Sequence, residues 1–160
     1  MLTMMANRMV TELVAFSSAM ILGFSAVLGL MLANLETVSE FLQLTSIGLV
    51  VKLFAVSVLF HVVQRYLAAI VMSGAALAKE LESTPPSDVN FERFAQKLEE
   101  ATMWPSRYMV RWSNKKILAG DLAVAGRMHA VFAQVLAWFA FAQAITAIAA
   151  ALVIANSLQS

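Results

Sequence analysis

Residues 128–160 read MHAVFAQVLAWFAFAQAITAIAAALVIANSLQS, 33 residues without an Asp, Glu, Lys or Arg. Roughly 20 apolar residues suffice to cross a bilayer as a helix, so a charge-free run of this length reads as a membrane span. Small residues keep step through it and its approach. Ala123, Gly126, Ala130, Ala133, Ala137, Ala140, Ala144, Ala147 and Ala151 follow one another at alternating spacings of three and four. That 3.5-residue repeat lays them on one seam of a helix. Bulk flanks the seam at Phe132, Leu136, Trp138, Phe139, Phe141, Ile145, Ile148 and Leu152. A seam of Ala lets a second backbone come close, which is how helices associate where lipid removes the hydrophobic drive. Ala130, Ala133, Ala137, Ala140, Ala144, Ala147 and Ala151 are therefore expected to form a helix-packing interface. Its partner is span one, another membrane protein or a second copy.

The rest of the chain fits the same class. It has 160 residues, 61% hydrophobic and 13% charged, against about 25% charged in a soluble domain. The deficit falls in three segments, so the expected fold is all-α, a single integral membrane domain with three transmembrane helices at about 13–33, 47–72 and 128–155. Leu13 to Ala33 is free of charge. A cleaved signal peptide would carry an apolar core of only about 7–15 residues and a small-residue cleavage site, so this run reads as an uncleaved span. Two small-residue stripes on it, Ala15-Ala19-Gly23-Ala26 and Ser18-Ser25-Gly29-Ala33, are each able to receive the Ala seam. Asn34 to Ser46 is a short connector. The second span has Lys52 at its leading edge and an uninterrupted core, Leu53 to Met72. Its helix is expected to run on through Leu81 and stop by Pro85-Pro86, which cannot continue it.

Residues 74–127 are the one sizeable polar region. Ser87 or Asp88 is placed to cap a helix, in which Phe91, Phe94, Leu98 and Trp104 recur against Glu92, Lys97, Glu99 and Glu100. Pro105 breaks it. A second amphipathic piece, Arg107 to Leu118, sets Arg107, Arg111 and Lys115 one turn apart beside Tyr108 and Trp112, a pattern suited to anionic headgroups at the membrane interface. Gly120-Asp121 reads as a stop followed by a cap. Lys and Arg set orientation: residues 74–127 hold eight, whereas the connector 34–46 and the tail hold none. The N-terminus and the 74–127 amphipathic segment are accordingly expected in the cytoplasm and the C-terminus outside, in a plasma membrane such as a bacterial inner membrane.

Several chemistries are excluded or unsupported. A net charge of +1 lacks the basic face that nucleic acid requires. The absence of Cys removes disulfides and thiolate metal sites. No Gly-rich phosphate loop, HExxH or water-accessible Ser/His/Asp pattern is present. The ten Met residues are scattered, as flexible filler in helix contacts is.

One constellation stands out. His61, Gln64 and Arg65 lie at i, i+3 and i+4 on one helix face, which Ser57 extends. Ionisable groups at membrane depth are expensive and mark function. The plainer alternative is a neutral His61 in a helix contact and a snorkelling Arg65. Counted within Leu53–Met72, Arg65 falls near mid-span with no acid at its depth, since Glu12 sits at the edge of span one. His61 and Arg65 are therefore candidate contacts for haem, a quinone or a pigment, the cofactor itself being undetermined. His129 is a weaker candidate. Ala125-x-x-x-His129 with Trp138-Phe139 loosely resembles the pigment-binding helices of bacterial light-harvesting polypeptides, a four-residue likeness too short to identify a family. Three functions follow as expectations: a non-enzymatic accessory or assembly subunit of a larger membrane complex, a cofactor-contacting membrane anchor, or a homo-oligomeric pore or membrane-disrupting effector.

Overall fold

The computed structural model describes residues 2–83, 91–102, 106–121 and 123–158, with all their side chains except those of 2–3, 77–78, 80–83, 91–92, 94 and 101. The described residues form six helices and no strand: α1 (Leu2–Ala33), α2 (Leu35–Phe41), α3 (Leu44–Ser83), α4 (Phe91–Ala101), α5 (Ser106–Leu118) and α6 (Val124–Ser157). Three of them, over Met4–Ala33, Leu44–Ala76 and Val124–Ser157, are long and apolar enough to cross a membrane. They overrun the expected spans. Hydropathy marks the membrane-length part, while good helix formers such as Arg8, Glu12, Lys79 and Glu80 carry the helix onward. At 1.5 Å per residue the 40-residue α3 is about 60 Å long and the 34-residue α6 about 50 Å. The expected cap at Ser87 or Asp88, the Pro85-Pro86 stop, Trp104 and Pro105 lie outside the described residues.

The connector 34–46 is not plain loop. Asn34 closes α1 by donating Nδ2 to the Leu30 carbonyl at 2.9 Å, and α2 follows. Leu42 beyond it packs with Met31, Ile47, Val38 and Ile154. At the other end, Gly120 takes φ 93°, the left-handed turn that favours glycine. The amides of Gly120 and Asp121 bond the Ile117 and Lys116 carbonyls at 2.9 and 3.0 Å, closing α5. Asp121 does not cap α6, contrary to expectation. Its carboxylate pairs with Arg127 at 2.5 Å, and Ala123 occupies the N-cap without a side-chain bond.

Helices α1, α3 and α6 pack on one another, α1 parallel to α6 and both antiparallel to α3. The register is read from cross-helix pairs. The Phe24 ring meets Phe54 edge-on at 5.1 Å. Seven residues back along α1, Ser17 meets His61, seven residues further along α3. Seven further again, Val10 clusters with Ala68 and, across on α6, Ala133 and Leu136. Ser17 also bonds Gln143, and Phe24 clusters with Ala150.

This register moves Arg65. Leu13, where the charge-free stretch of α1 begins, lies four residues before Ser17, and Arg65 lies four after His61, so the two are level. By the same count Ala33 is level with Thr45. The apolar stretch of α1 therefore faces residues 45–65 of α3, not 53–72. Arg65 is thus level with the start of the charge-free stretch of α1 and within a residue of the depth of Glu12, although α6 stays free of charge for about 16 Å beyond that level. Lys52 is then the residue inside the slab, about 10 Å from its far edge; it is exposed, placed to snorkel outward.

The small-residue faces also differ from expectation. Ala15, Ala19, Gly23 and Ala26 are all exposed, as are Gly29 and Ala33, and Ser18 and Ser25 are half-buried. A Cβ added at Gly23 or Gly29 meets nothing within 4 Å. Neither stripe of span one receives the seam; α1 instead turns Ala6, Val10, Ser17, Phe24, Leu28 and Met31 inward. On α6, Ala133 and Ala140 are buried, Ala130, Ala137, Ala144 and Ala147 half-buried and Ala151 exposed. The buried line runs Ala133, Leu136, Ala140, Gln143, Thr146, Ala150, rotated by a residue from the Ala seam. A helix wedged between two others has to fill the centre of a three-helix core with bulk, which an all-Ala line leaves void.

Tyr66 and Ser106 join α3 to the first turn of α5 through their hydroxyls, 2.9 Å apart. The far end of α5 adjoins the start of α6. On the same register Tyr66 is level with Trp138, and Val124 lies about 21 Å lower. Thirteen-residue α5 is about 20 Å long. It therefore runs roughly along the bundle axis at the charged end.

Candidate functional site

Several polar side chains of the apolar stretches turn into the bundle, although Gln134 on α6 is exposed. In the middle of the bundle Ser17, Ser57, Gln64 and Gln143 are each 1% exposed, and Thr146 is also buried. His61 joins them half-buried. Gln143 donates Nε2 to the Ser17 carbonyl at 3.1 Å. Its Oε1 thus faces the Ser17 hydroxyl and accepts from it at 2.6 Å. The single hydroxyl proton is then spent. The 2.7 Å contact between Ser17 Oγ and His61 Nδ1 requires His61 to donate. His61 is consequently the Nδ1–H tautomer, with a lone pair on Nε2 when neutral. Thr146 closes the set by donating to the Gln143 carbonyl at 2.7 Å.

Two buried atoms in this cluster have no hydrogen-bond partner among the described residues: Ser57 Oγ and Gln64 Oε1. The Gln64 amide reaches the Leu136 carbonyl only at 3.4 Å. Ser57, His61 and Gln64 follow at i, i+4 and i+7 on α3, so the unmet groups flank the imidazole one turn to either side. Above them, Phe24, Leu28, Val50 and Ala150 form an apolar cluster with Leu53 and Phe54 against it.

The sequence-derived candidates separate. His61 joins the polar core. Arg65, one turn on, is exposed and makes no ion pair among the described residues. His129 is elsewhere, 14 residues before Gln143 and so about 21 Å from the His61 level. Its Nδ1 bonds the Ala125 carbonyl at 2.6 Å. Its Nε2 lies 2.3 Å from where a Cβ on Gly74 would stand. Both nitrogens therefore face backbone, and His129 packs as a wedge against a glycine gap in α3 rather than presenting a ligand. Ser17, Gln143 and Thr146 were missed as partners; their one signal is a polar side chain inside a charge-free run.

At the charged end, Arg111 Nε and Nη2 reach Glu99 Oε1 at 2.7 and 2.6 Å. Arg107 approaches the same oxygen at 4.0 Å. That hydrogen bond and the Glu99 charge raise the Arg111 pKa above its ordinary value. Tyr108 and Trp112 stay exposed, and so does Lys115. Of the expected interfacial set, Arg107 and Arg111 are turned toward α4, and Lys115 stands about 14 Å from Ser106 along α5. An open groove of about 390 Å³ between α4 and α5 is lined by Glu99, Arg111, Asn114 and Lys115 among others. Among the described residues no three His, Cys, Asp or Glu gather as a metal site.

No protein-family model, curated protein or solved structure matches the chain.

Proposed function

We propose that the chain is a three-span integral membrane protein of the plasma membrane, with its charged end in the cytoplasm, serving as a non-enzymatic accessory or assembly subunit of a larger membrane complex. The observation that carries the membrane half is inverted polarity. Outward-facing Leu22, Leu30, Leu59 and Trp138 are 61–72% exposed, while the interior holds Ser17, Ser57, Gln64 and Gln143 at 1%. Water would drive the opposite arrangement.

The subunit half rests on surface left over. Much of the Ala seam is engaged inside the bundle. The outer face of α6 carries Trp138, Phe141, Ile145, Ile148 and Leu152, all 50–72% exposed at spacings of three and four. The polar core is engaged in joining helices, and an apolar cluster of Phe24, Leu28, Val50 and Ala150 lies beyond it. This supports an anchoring role over a conduit through the single chain. The test is extraction from native membranes into polymer-bounded discs, followed by native mass spectrometry. A mass above that of the chain, reduced to it by Trp138→Ala with Phe141→Ala while helicity is kept, supports the reading. A single chain with lipid alone overturns it.

A further inference from the structure

The hydrogen-bond order around His61 leaves an unused electron pair. Gln143 aligns Ser17, Ser17 takes the Nδ1 proton of His61, and Nε2 is left as an acceptor. Metal-ligating histidines donate their other ring N–H to a fixed acceptor in this way, which sets the tautomer and raises the ligand's basicity. Ser57 Oγ and Gln64 Oε1, each on a residue 1% exposed, lie a turn to either side without a partner among the described residues. Of the polar core, His61 alone is not fully buried, so its ring has an edge open to the outside of the bundle.

The chemistry of the occupant follows by elimination. A bare transition-metal ion takes about four protein ligands, and the described residues offer no cluster that supplies them. A metal that brings four equatorial nitrogens of its own needs one axial imidazole in apolar surroundings. Those surroundings are present in Phe60 and Phe139, whose rings lie 5.8 Å apart beside this level of the bundle. Arg65, one turn along the same face, is exposed and without a carboxylate partner among the described residues. It is level with Leu13, where the charge-free stretch of α1 begins. We propose that His61 is the axial ligand of a carboxylate-bearing metallotetrapyrrole, with Arg65 pairing with a carboxylate at its rim. This site is independent of the subunit reading above.

The experiment titrates ferric haemin into the full chain purified in dodecyl maltoside. A shifted Soret band that saturates at one haemin per chain is expected. His61→Gln abolishes the shift, and His61→Ala regains it when imidazole is added. Ser17→Ala keeps the band but weakens binding about 10- to 100-fold, the usual effect of removing such an outer partner. Arg65→Leu weakens haemin severalfold and leaves haemin dimethyl ester unchanged. His129→Gln changes nothing. Far-UV ellipticity confirms that each variant is folded. A wild-type spectrum identical to haemin in detergent, or an unaltered band in His61→Gln, overturns the proposal. Equal loss of haemin and its dimethyl ester in Arg65→Leu overturns its carboxylate part.

Discussion

Gly74→Ala isolates one contact on which the charged end of the bundle depends. The new methyl carbon would stand 2.3 Å from His129 Nε2 and 3.0 Å from Cε1. Ordinary contact needs about 3.4 Å or more, so the ring has to retreat by about 1 Å. Retreat breaks the 2.6 Å bond from His129 Nδ1 to the Ala125 carbonyl, a loss of about 0.5–1.5 kcal/mol. Overpacking adds about 1–3 kcal/mol. Replacing Gly by Ala inside a helix returns about 1 kcal/mol. The net expectation is a destabilisation of about 1–3 kcal/mol. In a His129→Ala background the obstruction is gone and only the helix term remains, so the same substitution is expected to stabilise by about 0.5–1 kcal/mol. The sign reverses between backgrounds, and the double-mutant cycle reports the coupling. Unfolding in mixed dodecyl sulfate and maltoside micelles, followed by far-UV ellipticity, measures both values. If Gly74→Ala is stabilising in both backgrounds, His129 does not occupy the gap and the placement of α6 against α3 is wrong.

Ser17→Ala strips partners from His61 Nδ1 and Gln143 Oε1 together and is expected to destabilise by about 2–4 kcal/mol; in the same unfolding assay Ser18→Ala, half-buried next door, stays within about 0.5 kcal/mol. Ala140→Leu is expected to cost about 1–3 kcal/mol by overpacking the chain's own core, whereas Ala151→Leu, exposed on the nominal seam, is neutral; equal effects would restore the seam as one continuous surface. A reporter inserted at Pro85-Pro86 is expected to score cytoplasmic and one after Ser160 outside, from the asymmetry of Lys and Arg; both on one side rules out three crossings.

Hydropathy and charge sufficed for the three long helices, because a charge-free run states its own length. Helix ends were less visible. The run of α3 past Lys79 was expected, but Arg8 and Glu12 carry α1 well past its apolar stretch, since a charged residue stops a membrane span but not a helix. Depth was misjudged for the same reason. Counting from Leu53 to Met72 centres Arg65, while the pairing of Ser17 with His61 sets it level with Leu13, and only cross-helix register carries that information. The polar core was half legible: Ser57, His61 and Gln64 share a face by spacing alone. Nothing local to Ser17 or Gln143 shows that they meet, because they come from helices 126 residues apart in the chain. The Ala seam marked the correct helix but an adjacent line, because the needs of a three-way core cannot be read from one helix's repeat.

Spin labels measure directly whether an apolar exterior surrounds the polar core at a fixed depth. The chain has no Cys, so single-cysteine variants label at one position. With the protein in liposomes, labels at Leu22, Leu59 and Ile148 are expected to collide with oxygen and not with a water-soluble nickel chelate. Labels at Leu13 and Arg65 are expected to show the same intermediate depth, at the membrane edge. Free access of the chelate to Leu22, Leu59 and Ile148, or a label at Arg65 that reports the bilayer centre, contradicts the account.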